Sequence, residues 1–444
     1  MNECGSRWAH VKAHVNDLTP KVGHHFDALQ QLPLRKQVYP LGGHGAVTTL
    51  TLHCLWLSRQ VGSRSMAHVA AWLLTCMAFL FGNARAALLP VSSNFLHTQC
   101  DGHRRVYAPL ITNQLSPYRA GDGLSVEDIL VLEGAADPQA LIVNGVAMTK
   151  ETPAINMAAY WIPLLKKLTS KVILPDLVLA SDIWDQPEDD TVRQGGPWFG
   201  YCNIMFQTTN LMLPAGDGVT AHLHCGRNCE PFTNMDRRES KAIFLGSSTG
   251  WWVGRRRAAV LAGILHNDTI YSGYTQMIDL PPDGLPAKDE ALGIAQTKPK
   301  MELADQIKKY KYIINADGHC AALRMRQLLA SDSAVLWVET NQIEWFYPLL
   351  QPFVHYIPVR YLDYEADDPL HDVITKIEWA ERNPKKVAAI VKNANRFATS
   401  HLSEHAIMCY SVQLLDEYAR LFHDPQKLQA VAQKGDFNVT HASA

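Results

Sequence analysis

Apolar positions along this chain fall into two rhythms. Continuous apolar runs at Val172 to Ser181, Ala242 to Leu245, 310–315 (Y-K-Y-I-I-N) and 334–338 (A-V-L-W-V) have the length and β-branched content of strands buried on both faces. Helical spacing marks Met157 to Thr169 and three successive segments after Pro358: Pro369 to Arg382, Pro384 to Thr399 and Leu402 to Phe422. Ser125 followed by Asp128 predicts a capping box at the start of an apolar helix. The segment from Tyr310 to Val359 combines both rhythms: an apolar run, the turn Asp317-Gly318, an amphipathic stretch with Arg324 and Arg326, and a second apolar run. That is a strand-helix-strand unit, and it predicts an α/β fold with a parallel sheet. At 444 residues, 47% of them hydrophobic, the chain is long enough for two domains, since single cores rarely exceed about 250–300 residues.

A strand-helix-strand unit sets its turn and helix N-terminus at the carboxyl edge of the sheet, where backbone amides and the helix dipole favour an anion. Arg324 near that edge suits a diphosphate, because a guanidinium offers a planar fork and stays charged. A second candidate follows the strand at 242–245: Gly246-Ser247-Ser248-Thr249-Gly250, then Trp251, Trp252 and Arg255-Arg256-Arg257 opening an apolar helix. Small residues let backbone approach phosphate, and hydroxyls and arginines donate to it. The loop lacks the lysine of a P-loop, and on its residues alone it reads equally as a plain turn before a basic surface. The third candidate is acidic. Asp182, Asp185, Asp189 and Asp190 follow the strand that begins after Leu174-Pro175-Asp176; an Asp at a strand end can serve as a general base, or the group can simply solvate a loop. A net charge of −2 gives no broad attraction to nucleic acid or anionic membrane, so binding has to come from local sites.

Taken in order, K-Y-K-Y-I-I-N-A-D-G, the R-x-R-x-L-L-A-S run from Arg324 to Ser331, and W-F-Y-P-L-L-x-P-x-V-H-Y-I-P-V from Trp345 to Val359 resemble glycosyl transferase family 90, which includes the Rumi-type protein O-glucosyltransferases and the capsule-associated xylosyltransferases. The resemblance implies a GT-B architecture: two Rossmann-like domains facing a cleft, with the last helices packing back on the first domain. It implies a UDP-sugar site at Ser247, Arg257, Gly318 and Arg324, with Arg255 or Arg256 as alternatives to Arg257 because the loop is longer here. P-D-(x)8-D-x-P resembles the family's catalytic loop and makes Asp185 the implied base. Two departures stand out: Ala322 replaces a common Ser, and Asp182 replaces an Asn. Arg326 reads as a surface or packing residue, and Cys320 as a small buried one. The implied reaction is an inverting displacement that moves glucose or xylose from a UDP-sugar to a hydroxyl of a glycan or a secretory protein. The G-S-S-T-G form leans toward the capsule type. With no Asp-x-Asp pair in the chain, no metal and no further cofactor are expected. A catalytically inactive lumenal glycan-binding or quality-control protein of the same fold is the alternative.

Location is marked by Met66 to Gly82, an apolar stretch after Arg59 and Arg64 that ends in Ala84-Arg85-Ala86. That is the layout of a cleaved secretory signal or a signal-anchor, and a membrane is involved only if it stays as an anchor. The expected organisation is therefore an N-terminal extension at 1–65, either untranslated ahead of Met66 or a cytosolic tail, and a signal at 66–86. It continues with an acceptor-side Rossmann-like domain carrying the base at 94–236, a linker near 234–241, a UDP-sugar domain at 242–395, and a helix returning to the first domain at 396–425. The expected compartment is the lumen of the endoplasmic reticulum or Golgi. Six cysteines follow the signal, Cys100, Cys202, Cys225, Cys229, Cys320 and Cys409, and an even number there favours disulfides over a zinc site at His222, His224, Cys225 and Cys229. Asn267-Asp268-Thr269 and Asn438-Val439-Thr440 are sequons.

Overall fold

The computed structural model of the chain describes residues 89–439 apart from 120, 122, 133–138, 151–157, 182–195, 205–209, 215–236, 251–253, 282 and 363–364. The segment at 66–86, the carboxylates Asp182, Asp185, Asp189 and Asp190, and the cluster from His222 to Cys229 lie outside the described residues. Among the described residues, no helix is long and apolar enough to cross a membrane.

The strands are, in chain order, β1 (Gln139–Val143), β2 (Val146–Thr149), β3 (Leu177–Ser181), β4 (Trp198–Gly200), β5 (Cys202–Ile204), β6 (Asn210–Met212), β7 (Glu239–Ser247), β8 (Ile270–Gln276), β9 (Tyr310–Asn315), β10 (Ala334–Val338), β11 (Gln342–Glu344), β12 (Ile357–Val359) and β13 (Asn438–Val439). They form one sheet in the order β13-β2-β1-β3-β4-β6, a second in the order β12-β10-β9-β7-β8, and a two-stranded ladder of β5 with β11.

The second sheet is parallel throughout. Its central strands β7, β9 and β10 are apolar on both faces because both faces are covered. On one face Ala242, Phe244, Tyr312, Ile314, Ala334 and Leu336 pack under the helices Arg255–Leu265 and Asp372–Arg382. From the other, Ile243, Leu245, Ile313, Val335 and Trp337 join a core that continues into the first sheet. This is why alternation is hidden and the sequence reads as continuous apolar runs. β7 begins at Glu239, inside the stretch expected to be a linker, since Glu239 still pairs with Tyr310 although its side chain is exposed.

The first sheet departs from a Rossmann-like expectation. β3, β4 and β6 are parallel, but β1 pairs antiparallel with both β2 and β3. The cause is local: Asn144-Gly145 sits between β1 and β2 with φ of 53° and 74°, and Val143 pairs with Val146. A two-residue turn of that kind closes a hairpin and forces the strands antiparallel. Asp176 holds the turn by accepting a 2.7 Å hydrogen bond from the Asn144 N–H. Pro175 and Asp176 also set the start of β3, five residues later than the apolar run begins. At the opposite edge, Gln114 Oε1 accepts from the Met212 N–H at 2.7 Å, and the Tyr410 hydroxyl donates to the Met212 carbonyl at 2.9 Å, so side chains occupy the outer hydrogen-bonding groups of β6.

Ser125 and Asp128 form the reciprocal capping box of the helix Val126–Leu130, as their spacing predicts. The helices Ser92–Gln99, Asp101–Arg119 and Glu404–Ala419 pack together and are joined by the disulfide Cys100–Cys409. Beside it His103 meets His405 and His401 edge-on at 5.6 and 6.2 Å. Burial first, then the neighbouring histidines, holds the pKa of His103 below its ordinary value; burial and His355 do the same to His401. The expected boundary at 395–396 falls inside the continuous helix Pro384–His401.

Candidate functional site

β7 and β9 are adjacent and parallel, so the loops at their carboxyl ends lie side by side. β7 ends at Ser247 and runs into Ser248-Thr249-Gly250, and after β9 comes Ala316-Asp317-Gly318-His319-Cys320. The loops touch backbone to backbone. Gly250 has φ of 101°, and a Cβ there would stand 2.6 Å from the Gly318 carbonyl carbon; a Cβ on Gly318 would stand 2.8 Å from Thr249 Oγ1 and 2.9 Å from an Arg256 nitrogen. At Gly250 the positive φ and the facing backbone admit only glycine, whereas at Gly318 a Cβ would displace the ends of the Thr249 and Arg256 side chains.

One side chain spans the pair. Arg256 Nη1 donates to Ser247 Oγ at 2.9 Å and to Thr249 Oγ1, while its Nε donates to the Ala316 carbonyl at 3.4 Å. Arg257, which the family's spacing selects, is turned the other way. It forms a two-point ion pair with Asp289, whose carboxylate is fully buried. Arg255 reaches the Glu339 carbonyl and lies over the Tyr361 ring. Three consecutive helical residues are separated by about 100° each, so they face the loop, the core and the sheet edge in turn.

Arg324 sits at the N-terminal boundary of a short helix, Met325–Leu329, beneath the loops. It donates to the Leu245 carbonyl of β7 and the Ile314 carbonyl of β9, both at 3.0 Å, and lies over the Phe244 ring. Burial, followed by repulsion from Arg256, lowers its pKa to about 10, which leaves it charged at neutral pH. It therefore holds two strand ends together and lends positive potential to the loops from below. It also lines a cleft of about 290 Å³ with Gly246, Thr275, Lys300 and Glu302. Arg326 is buried, consistent with a packing residue.

Residues without a local sequence signal complete the site. Asp279, on the segment after β8, accepts from the Gly250 N–H at 3.0 Å and contacts His319 Nε2. Ser248 Oγ accepts from the N–H groups of Ile278 and Asp279 at 2.7 and 3.1 Å, tying the same segment to the loop. Asp317 Oδ1 accepts from the Ala322 N–H at 2.8 Å, and burial raises the pKa of this carboxyl against the opposing hydrogen bonds from Ala322 and Thr340. Cys320 is buried as expected, but as half of a disulfide with Cys202 of β5, so the Gly318 loop is tied to the strand that pairs with β11. The donors gathered here are a guanidinium and hydroxyls, a set that suits an oxyanion, while the N–H groups of Gly250 and Gly318 donate to Asp279 and to the Cys320 carbonyl.

The chain spans about half the length of curated relatives that it matches. It is 29% identical over 274 residues to human protein O-glucosyltransferase 3, covering 58% of this chain and 49% of that one. It is 30% identical over 262 residues to zebrafish (Danio rerio) protein O-glucosyltransferase 2, covering 58% and 50%. Rat (Rattus norvegicus) protein O-glucosyltransferase 1 is 36% identical over 112 residues, 25% of this chain and 27% of that one. A solved C-terminal domain of a glycosyl transferase group 1 family protein from Francisella tularensis, 12% identical, covers 39% of this chain and 93% of that chain at a TM-score of 0.27, too low to bear on the fold. The sequence profile of glycosyl transferase family 90 matches residues 99–435, which takes in every strand but β13 and both glycine loops: the chain belongs to glycosyl transferase family 90.

Proposed function

We propose that this chain is an inverting glycosyltransferase that moves glucose or xylose from a UDP-sugar to a hydroxyl of a glycan or a secretory protein in the secretory lumen, with its two α/β halves working as the facing domains of a GT-B enzyme. The observation that carries this reading is Arg256 bridging two glycine loops at the carboxyl edge of a parallel sheet. Arg256 and Ser247 would meet the diphosphate beside Gly318, with Arg324 beneath them as a charged support. Asp185 follows β3 by four residues in sequence and would serve as base. In the step so described the acceptor O–H loses its proton to Asp185 as its oxygen bonds to the anomeric carbon. The bond from that carbon to the UDP oxygen breaks from the opposite side, and the charge left on UDP is met by Arg256. The anomeric configuration inverts.

The test is a screen of UDP-sugars with purified protein, reading UDP release with and without glycan and folded secretory-domain acceptors. UDP release from UDP-glucose or UDP-xylose is expected. Saturable UDP binding with no release from any donor would favour an inactive glycan-binding protein, and neither binding nor release would sink the nucleotide reading. Because arginine carries the charge, turnover should survive EDTA; loss restored by manganese would overturn that account.

A further inference from the structure

Away from the glycine loops, the helix Arg255–Leu265 ends at His266, its C-terminal cap, roughly 16 Å along the axis from its first residue at about 1.5 Å per residue. There it meets the turn that precedes the helix Asp372–Arg382. Asp368 Oδ2 lies 2.8 Å from His266 Nε2 and 3.2 Å from His371 Nδ1, and one ligand atom from each of the three residues lies within 4.8 Å of the others. Asp368 Oδ1 is buried and has no hydrogen-bond partner among the described residues. A single carboxylate oxygen serving two imidazoles, with its twin left dry and unpaired, is a costly arrangement for hydrogen bonding alone.

It is a good arrangement for a cation. Tetrahedral zinc bonds of about 2.0–2.2 Å put neighbouring ligand atoms about 3.3 Å apart, close to the separations around Asp368 Oδ2. Two imidazoles and a carboxylate are the ligand types that zinc accepts, with water in the fourth position. Packing and hydrogen bonding hold the turn in place. The His371 N–H donates to the Asp368 carbonyl at 3.2 Å, Leu370 and Val373 are fully buried on either side, and Lys288 pairs with Asp367. We propose that His266, Asp368 and His371 form a divalent transition-metal site, best suited to zinc, which clamps the end of one helix to the start of another. The site is structural and stands apart from the residues assigned to turnover, so it does not conflict with activity that survives EDTA.

The experiment is zinc titration calorimetry on tag-free protein stripped with EDTA, comparing wild type with His371→Ala and Asp368→Asn. His371 has a side chain two-thirds exposed, so its removal leaves the fold intact. Wild type should bind one more zinc equivalent than His371→Ala, or bind that equivalent on the order of tenfold or more tightly, and zinc should raise the melting temperature of wild type alone. Added cobalt should give wild type, but not His371→Ala, the visible absorption of a tetrahedral nitrogen-oxygen site. Identical zinc stoichiometry and affinity in wild type and His371→Ala, or a wild-type melting temperature indifferent to zinc, would overturn the proposal.

Discussion

The two large sheets reach the same kind of core by different routes. β12, β10, β9, β7 and β8 run parallel, so their carboxyl ends share one edge and their loops collect there. In the other sheet β1 folds back on β2 through Asn144-Gly145, and only β3, β4 and β6 run parallel. Parallel strands concentrate backbone donors and helix N-termini at one edge, whereas a hairpin divides its loops between two. The proposed anion-binding set therefore gathers on β7 and β9, and the proposed base follows β3, first of the parallel strands in the mixed sheet.

Asp185→Asn puts the largest strain on that division of labour. If the mixed sheet contributes the base, turnover should fall about 10²–10⁴-fold in a UDP-release assay while UDP affinity and melting temperature stay near wild type. Near-normal turnover would return the acidic segment to mere solvation. Asp182→Asn should keep most activity; the reverse pattern would move the base to Asp182.

The neighbouring arginines separate binding from support within the parallel sheet. Arg257→Ala removes the two-point ion pair of the buried Asp289 carboxylate and should cost about 3–5 kcal/mol of unfolding free energy by denaturant titration, with UDP affinity of the folded protein little changed. Arg256→Ala should do the opposite, weakening UDP binding by about 1.5–3 kcal/mol in calorimetry with little change in stability. Exchange of these two outcomes would show that Arg257 reaches the nucleotide after all.

Much of the fold is readable in the chain because buried parallel strands leave uninterrupted apolar runs and the capping box leaves Ser125 and Asp128 at fixed spacing. The choice among Arg255, Arg256 and Arg257 is not, because it depends on how the helix is rotated against β7 and β8, which is set by packing around Asp289. Asp279 and His319 come together only because β8 and β9 flank β7. The hairpin, by contrast, is legible: Asn-Gly between apolar runs is a strong short-range turn signal, and the Rossmann-like expectation overrides it.

The smallest expected effect concerns the histidine cluster beside the Cys100–Cys409 disulfide. His103 and His401 have lowered pKa values in the folded state, so the unfolded chain binds protons more readily. Their contribution to stability is fully present above about pH 6.5 and fades as pH falls toward the folded values. The melting temperature should decline from about pH 7.5 to about pH 5.5, and His103→Gln should flatten the decline. His355, which burial also holds below its ordinary value, lies in the same cluster, so the slope should not vanish.

The two cross-links are nested: Cys202–Cys320 lies wholly within the span closed by Cys100–Cys409. A single protease cut anywhere between Cys100 and Cys409 therefore leaves one covalent molecule on a non-reducing gel and two fragments once the sample is reduced. A cut between Cys202 and Cys320 keeps the fragments bearing Arg256 and Gly318 in one particle wherever it falls.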